Sequence, residues 1–453
     1  MQAVAALVLI ALTFLLLRVL AERQFTTHLR EEAAHALALE AAGKSPWQWR
    51  FRDSEDIVAG RVFGAGNFSF DAEGLRVRSA GAPFEVGLPV ARPVDLRRFP
   101  IFHIAASADA PATFRIIGRT TLDAPQSAGL PISLHGAETT FDLRSDDSLP
   151  DRAAMLRLQF NLPAGETLQL QAASLELPPT STPARVRQLP SGSVERQLLA
   201  LRSIHEEDPS AVVLPAGDTP AVAIIGVREA EPIGIAAIMY ALAVLLARVR
   251  PPRNARVRAL VEITLVLAVP LWLIVGGYFT GRLDHAQTLL VATTVLYAIS
   301  LGWPRTWLWI GSARAWILAA AVVALAIGIG FGLHRSGESL RAIDSGHVTR
   351  YLGWALIQQY LICAIVLPRW QALTGNTPCA IYLGALCFSL LHAPNSSLML
   401  ATFAGGLCWC ALYSRERALF PLAFSHAASA LLLIALLPPD ILLSAEVSAR
   451  FFQ

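Results

Sequence analysis

Three groups of polar side chains interrupt apolar stretches near the C-terminal end of this sequence. Gln358 and Gln359 lie inside WALIQQYLICAIVLPRW (354–370), Phe388 and His392 stand four residues apart in FSLLHAPN, and His426 lies in FSHAASA. Two imidazoles can hold a zinc ion or orient a water molecule, and a carboxylate in third place would act as general base. Glutamine cannot take that proton, because its amide is neutral, and it is an uncommon zinc ligand. A polar side chain in hydrocarbon is costly unless partnered, so these residues are expected to face the interior of a helix bundle. Gln358, Gln359, His392 and His426 are therefore the candidate catalytic side chains, and His392 and His426 the candidate ligands of a divalent metal such as zinc. The plainer alternative makes the glutamines interhelical hydrogen-bonding groups and the histidines a structural pair.

The order, spacing and placement of these groups in successive apolar segments resemble the CAAX protease and bacteriocin-processing family (CPBP, also called Abi) of multi-span intramembrane endopeptidases. Members show a Glu-Glu-x-x-x-Arg helix, then Phe-x-x-x-His, then a final His-x-x-x-Asn or similar. Here Gln358 and Gln359 stand at the glutamate pair and Cys363 at the arginine, while Phe388 and His392 keep the second motif, followed by Pro394 and Asn395. His426 keeps the third motif, with Ala430 where an asparagine often stands. The resemblance covers residues 350–437. It implies an intramembrane endopeptidase homologue whose catalysis is altered or lost, because the first family glutamate is the base that activates water and Gln358 cannot replace it. A catalytic site would then need a base from elsewhere. By sequence, Glu262 is the acidic residue best placed to supply one, although its charge could equally snorkel to water.

The composition demands the same kind of environment. Of 453 residues, 54% are hydrophobic and 16% charged, against about 25% charged in soluble domains. The expected fold class is a multi-span α-helical membrane protein with an N-terminal anchor and an extracytoplasmic antiparallel β-sandwich domain. Residues 1–22 form the anchor, 23–46 a helical connector, 47–180 the sandwich, 181–230 a linker and 231–440 the helical membrane domain. Spans are expected near 231–248, 259–278, 286–303, 314–333, 351–368, 378–392, 397–413 and 420–438. By these boundaries His392 lies near the outer end of its span and His426 nearer the cytoplasmic end of its own, a mismatch in depth.

Five arginines crowd RVRPPRNARVR (248–258), marking a cytoplasmic loop, and Arg305, Arg369 and SRER (414–417) fall on the same side. Arg335, Arg341 and Arg350 fit this orientation badly. It places the multi-pass chain in the bacterial cytoplasmic (inner) membrane with its large sheet domain in the periplasm. Net charge is only +3, and no basic cluster accompanies a nucleic-acid motif, so membrane lipid is a partner and nucleic acid is not. All five cysteines fall from Cys363 onward, without paired spacing, and are read as small buried hydrophobes. The AGG at 404–406 reads as close helix packing.

The outer domain alternates apolar and polar residues with a period of two, and Phe68, Phe70, Leu75, Val77, Phe114, Ile116, Leu156, Leu158, Phe160, Leu168 and Leu170 are expected to form one core. Such a domain could bind a peptide, protein or polysaccharide ligand. Trp47, Trp49, Phe99 and Phe102 are the aromatic cue, read in preference as core, and Arg92, Arg97 and Arg98 a basic patch. His205-Glu206-Glu207 is read as a solvated turn. The alternative to a CPBP-like protein is a non-enzymatic envelope scaffold or accessory subunit. A transporter ranks below both, for want of paired interrupted spans in an internal repeat.

Overall fold

Every fourth residue of the first helix, α1 (Gln2–Ala41), is buried from Thr13 to Ala33, through Leu17, Ala21, Phe25 and Leu29. That spacing lays a single stripe along an α-helix, while Leu12, Leu15, Leu16 and Val19 on the other faces stay exposed. The computed structural model describes residues 2–90, 92–121, 123–134, 136–179, 185–220, 233–279, 283–302, 310–334, 340, 345–442 and 445–452. Arg305, Arg335 and Arg341 lie outside them. Two compact units result. One comprises Leu29–Gly192 and Gln197–Arg228, the other Met1–His28, Ser193–Arg196 and Glu229–Gln453.

The first unit is a β structure. Its strands are β1 (Lys44–Arg50), β2 (Val62–Asp71), β3 (Gly74–Leu88), β4 (Val94–Asp95), β5 (Ile101–Ala108), β6 (Thr113–Arg119) and β7 (Ser127–Ala128). There follow β8 (Ile132–Ser133), β9 (Glu138–Asp142), β10 (Arg152–Ala153), β11 (Met155–Asn161), β12 (Thr167–Glu176), β13 (Val186–Gln188) and β14 (Val212–Leu214). Ten of them form one antiparallel sheet in the order β7-β6-β11-β3-β12-β5-β9, with β1 beside β12, β2 beside β3 and β8 beside β6. Period-two burial is plain in β11, where Leu156, Leu158 and Phe160 point inward and their neighbours do not.

The expected sandwich of separate sheets is corrected to a single sheet curled into a half-barrel. The cause lies in the β2–β3 hairpin. Its far end is a tight turn in which the Glu73 N–H donates to Asp71 Oδ1 (2.9 Å), and Gly74 there has φ +123° with its backbone against Leu170 O. Midway, the register jumps: Gly64 faces Phe84 but Gly66 faces Ser79. The extra β3 residues form a bulge that bends the hairpin. Leu75–Arg78 then pairs with β12, and Phe84–Leu88 with β11. The two halves nevertheless share one core, since Phe102 of β5 meets Phe114 of β6 with ring centroids 6.1 Å apart. Nearly all the expected core residues are buried in it, but Phe68 is 38% exposed.

Trp47, Trp49, Phe99 and Phe102 belong to that core. The expected basic patch does not form. Arg92 turns inward, 3.6 Å from Glu32 and 5.6 Å over the Trp47 ring, and Arg98 pairs with Glu40 at 2.7 Å. Arg97 alone of the three is exposed, beside Asp151 at 3.2 Å. His205 is likewise not a solvated turn residue. It ends the amphipathic helix α2 (Val194–Glu207), half-buried, with Nε2 3.2 Å from Arg92 Nη1.

The second unit is a helical bundle: α3 (Ile233–Val249), α4 (Ala255–Val275), α5 (His285–Ser300), α6 (Ala313–Leu333) and α7 (Ser345–Gln359). After α7 come a π-helical segment (Tyr360–Val366), α8 (Leu367–Thr374), α9 (Thr377–Leu390), α10 (Ser396–Glu416) and α11 (Leu419–Leu436). Capping side chains fix several starts: Asn254, Asp284 in a capping box with Gln287, Ser312, Asn376 and Asn395. Helices occupy each of the eight segments expected after residue 231. Among the described residues, α4, α6, the run from Val348 to Thr374, α10 and α11 are long and apolar enough to cross a membrane, whereas α3 and α9 are apolar but shorter. Ile317 and Leu296 stay largely exposed, as lipid-facing side chains would be. Gly406 brings α10 against α9: a Cβ there would stand 3.0 Å from the Ala385 Cα.

In the β unit, burial first and the Arg92 charge second push the His205 imidazole below its ordinary value of 6.5, with Glu32, Asp208 and the Ala211 backbone acting the other way. The unfolded chain therefore takes up this proton at higher pH than the folded one, and the associated stability, present above 6.5, is lost as pH falls toward the folded value. Calorimetry between about pH 7 and about pH 5 should show the β unit's melting temperature falling, with a shallower slope in His205→Gln. An unchanged slope in that variant would remove His205 as the cause.

Candidate functional site

The polar residues expected to meet are positioned by a break in helical regularity. Pro368 has no N–H to give to the carbonyl four residues back, and the turns before it widen into the π-helical segment, where Leu367 N–H reaches Ile362 O, five residues earlier. Gln359 and Cys363 thereby face the bundle interior together, and the Cys363 thiol donates to Gln359 Oε1 (3.2 Å). The other end of that amide, Nε2, lies 3.2 Å from His426 Nδ1. In this orientation the amide nitrogen, which can only donate, donates and His426 Nδ1 accepts. In neutral His426 the ring proton then sits on Nε2. Gln359 is 1% exposed and His426 2%.

His392 lies just past the end of α9, in the turn before Asn395. Its Nδ1 is 2.8 Å from Phe388 O. A carbonyl only accepts, so Nδ1 carries the proton and Nε2 keeps its lone pair. The Phe388 ring stands between the two histidines, 4.8 Å from His392 and 5.4 Å from His426, edge-on to both. Trp409 packs against both Phe388 (5.9 Å) and His426 (4.6 Å), its indole N–H held by Ser425 Oγ at 2.7 Å. The apparent mismatch in depth has a simple resolution. Helices α9 and α11 start at the same end of the bundle, and Phe388 stands about 16 Å along the first and His426 about 10 Å along the second. The long Phe388 ring closes the difference.

Gln358, one residue from Gln359, points about 100° away round the helix and is half-buried. Among the described residues no hydrogen bond joins it to either histidine. The structure thus brings together Gln359, His392 and His426, with Cys363 and Trp409 added, and leaves Gln358 at the side.

The acidic residues are engaged elsewhere. Glu262 is committed to Arg369 at 2.7 Å, and the same guanidinium donates to Ile365 O and Leu301 O. This half-buried ion pair ties α4 to α8, which gives Glu262 a structural role in place of that of replacement base. Glu195 reaches the start of α10, where the Ser396 and Ser397 hydroxyls donate to its carboxylate. Burial opposes its charge, but the hydrogen bonds, that from Ser396 foremost, outweigh it and hold its pKa below the ordinary carboxylate value. It makes no hydrogen bond with either histidine. Sequence reasoning overlooked Glu195, Trp409 and the capping role of Asn395; the Pro-Asn-Ser-Ser run was the signal for the last.

Two imidazoles flanked by an amide do not make up the donor set of a resident zinc, which takes at least three protein ligands of the histidine, cysteine or carboxylate kinds. Among the described residues no group of three such side chains is placed to hold a metal ion.

If the Gln359 amide holds these helices together, Gln359→Leu should cost about 1–2 kcal/mol of unfolding free energy, because it strands His426 Nδ1 in a dry interior. Gln358→Leu should change it by less than about 0.5 kcal/mol. Equal effects in denaturant titrations of the two variants in detergent would show that the amide network is not the tie.

Residues 345–432 match the family described as Rce1-like, Type II CAAX prenyl endopeptidase Rce1-like. Comparison with curated proteins gave no match. The match spans α7 to most of α11, the helices that carry Gln359, His392 and His426. The C-terminal region of this chain is a CPBP/Rce1-like CAAX protease family domain.

Proposed function

We propose that this chain is a multi-pass protein of the bacterial cytoplasmic membrane whose CPBP-type bundle has given up glutamate-based water activation and serves as a membrane scaffold. The observation that carries this reading is the Gln359 amide, buried and bonded to both Cys363 and His426. Gln358, which stands at the family's base position, has a neutral amide that takes no proton from water, and its neighbour Gln359 is a donor turned toward His426. Glu262, Glu195 and Glu446 are committed to Arg369, to the α10 serines and to Arg450. A divalent ion at His392 and His426 has no part in this reading, since two imidazoles are too few donors for a resident site.

The arginine-rich 248–258 stretch joins α3 to α4, and Arg369 and Ser414–Arg417 fall at the same end of the bundle. This supports a cytoplasmic face there and a periplasmic location for the sheet domain. The exposed leucines of α1 support its first half as a retained anchor. Because Trp47, Trp49 and Phe99 are core residues, the sheet domain lacks the aromatic platform they would have offered a sugar. A protein or peptide ligand is the better reading for it.

The test is peptidase turnover of fluorogenic prenylated and unmodified peptides by the full-length protein in nanodiscs, beside His392→Ala and His426→Ala. Native turnover should be no higher than in the two variants. Native turnover at least about tenfold above both variants would restore the endopeptidase reading, with a base other than glutamate.

A further inference from the structure

The turn that carries His392 is closed over by a segment far along the chain. Residues 391–396 are all buried. Against them lies Ala445–Phe452, whose Ser448 N–H donates to Ala393 O (2.8 Å). The Asn395 side-chain amide donates to Leu442 O (2.8 Å) and Glu446 O (3.4 Å). Ser448 is fully buried, and its hydroxyl donates to Leu273 O at the end of α4 (2.9 Å) while accepting from the Phe279 N–H (3.2 Å). Phe451 is buried as an anchor, and Phe452 stacks on His28 of α1 with ring centroids 3.8 Å apart.

What holds this closure differs from ordinary core packing. Its grip on the turn consists of a few main-chain and amide hydrogen bonds, each of small net worth. Ala445 and Ser448 both have φ 56°, in the left-handed region that non-glycine residues occupy at a cost. A strained segment with few bonds is an element that opens before the bundle does.

We propose that Ala445–Phe452 is a displaceable plug that closes the His392 end of the bundle, and that its release opens His392 to water and water-borne reagents. The plug acts on access, so it stands whether or not the histidines retain any chemistry.

The test uses diethyl pyrocarbonate, which acylates accessible neutral imidazoles, on the full-length protein in detergent, with modification read residue by residue by mass spectrometry. Exposed His285 is the reference for reagent activity. Protection of buried Cys410 from N-ethylmaleimide is the reference for an intact bundle. Truncation after Leu442, and separately Ser448→Ala and Phe451→Ala, should each raise the His392 rate by about tenfold while Cys410 stays protected. A synthetic peptide of residues 445–453 should restore protection to the truncated protein. An unchanged His392 rate in all three variants overturns the proposal. So does a rise that comes only together with Cys410 labelling in all three, because that is loss of the bundle.

Discussion

An amide side chain away from water must find partners for both its ends, and the Gln359 amide is where this bundle meets that demand. Its oxygen takes the Cys363 thiol and its nitrogen gives to His426, so one side chain links the π-helical segment to α11. The arrangement follows from chemistry. A glutamate at this position would be a buried charge beside an imidazole, and would be held there only by a counter-charge. With glutamine the network is neutral, and Cys363 completes it without introducing a charge.

Several other polar groups of the bundle obey the same rule. Arg369 and Glu262 neutralise each other and use main-chain carbonyls for the leftover donors. Tyr240 and Thr294 share a hydrogen bond at 2.7 Å, and Ser389 reaches across to Met399 O. Small residues let these groups meet, with Gly384 and Gly406 at the α9–α10 contact.

Much of this was legible in the sequence, for identifiable reasons. Period-two alternation located the strands and most of the core because an inward residue in a strand has little choice of type. Long apolar runs located the helices of the bundle for a similar reason. The bend of β2–β3 was not legible, since it depends on a register jump between Gly64 and Gly66 that local pattern does not encode. Nor was the ion pair of Glu262, whose partner is 107 residues away. His205 resembled a solvated residue because its neighbours Glu206 and Glu207 are exposed, and only the fold brings Arg92 to it.

At the site, motif spacing picked out His392 and His426, and the structure places both against Phe388. Spacing could not separate Gln358 from Gln359, because adjacent residues differ only in which face of the helix they occupy. Nor could it show which end of the amide meets the imidazole, and the reading of the site turns on that orientation. Nitrogen-15 NMR of histidine-labelled protein in nanodiscs measures it directly. The account predicts neutral His426 with its proton on Nε2 and a hydrogen-bonded, unprotonated Nδ1, unlike His392 with its proton on Nδ1. A His426 found protonated at Nδ1, as a carboxylate-like acceptor at Gln359 would require, would contradict it.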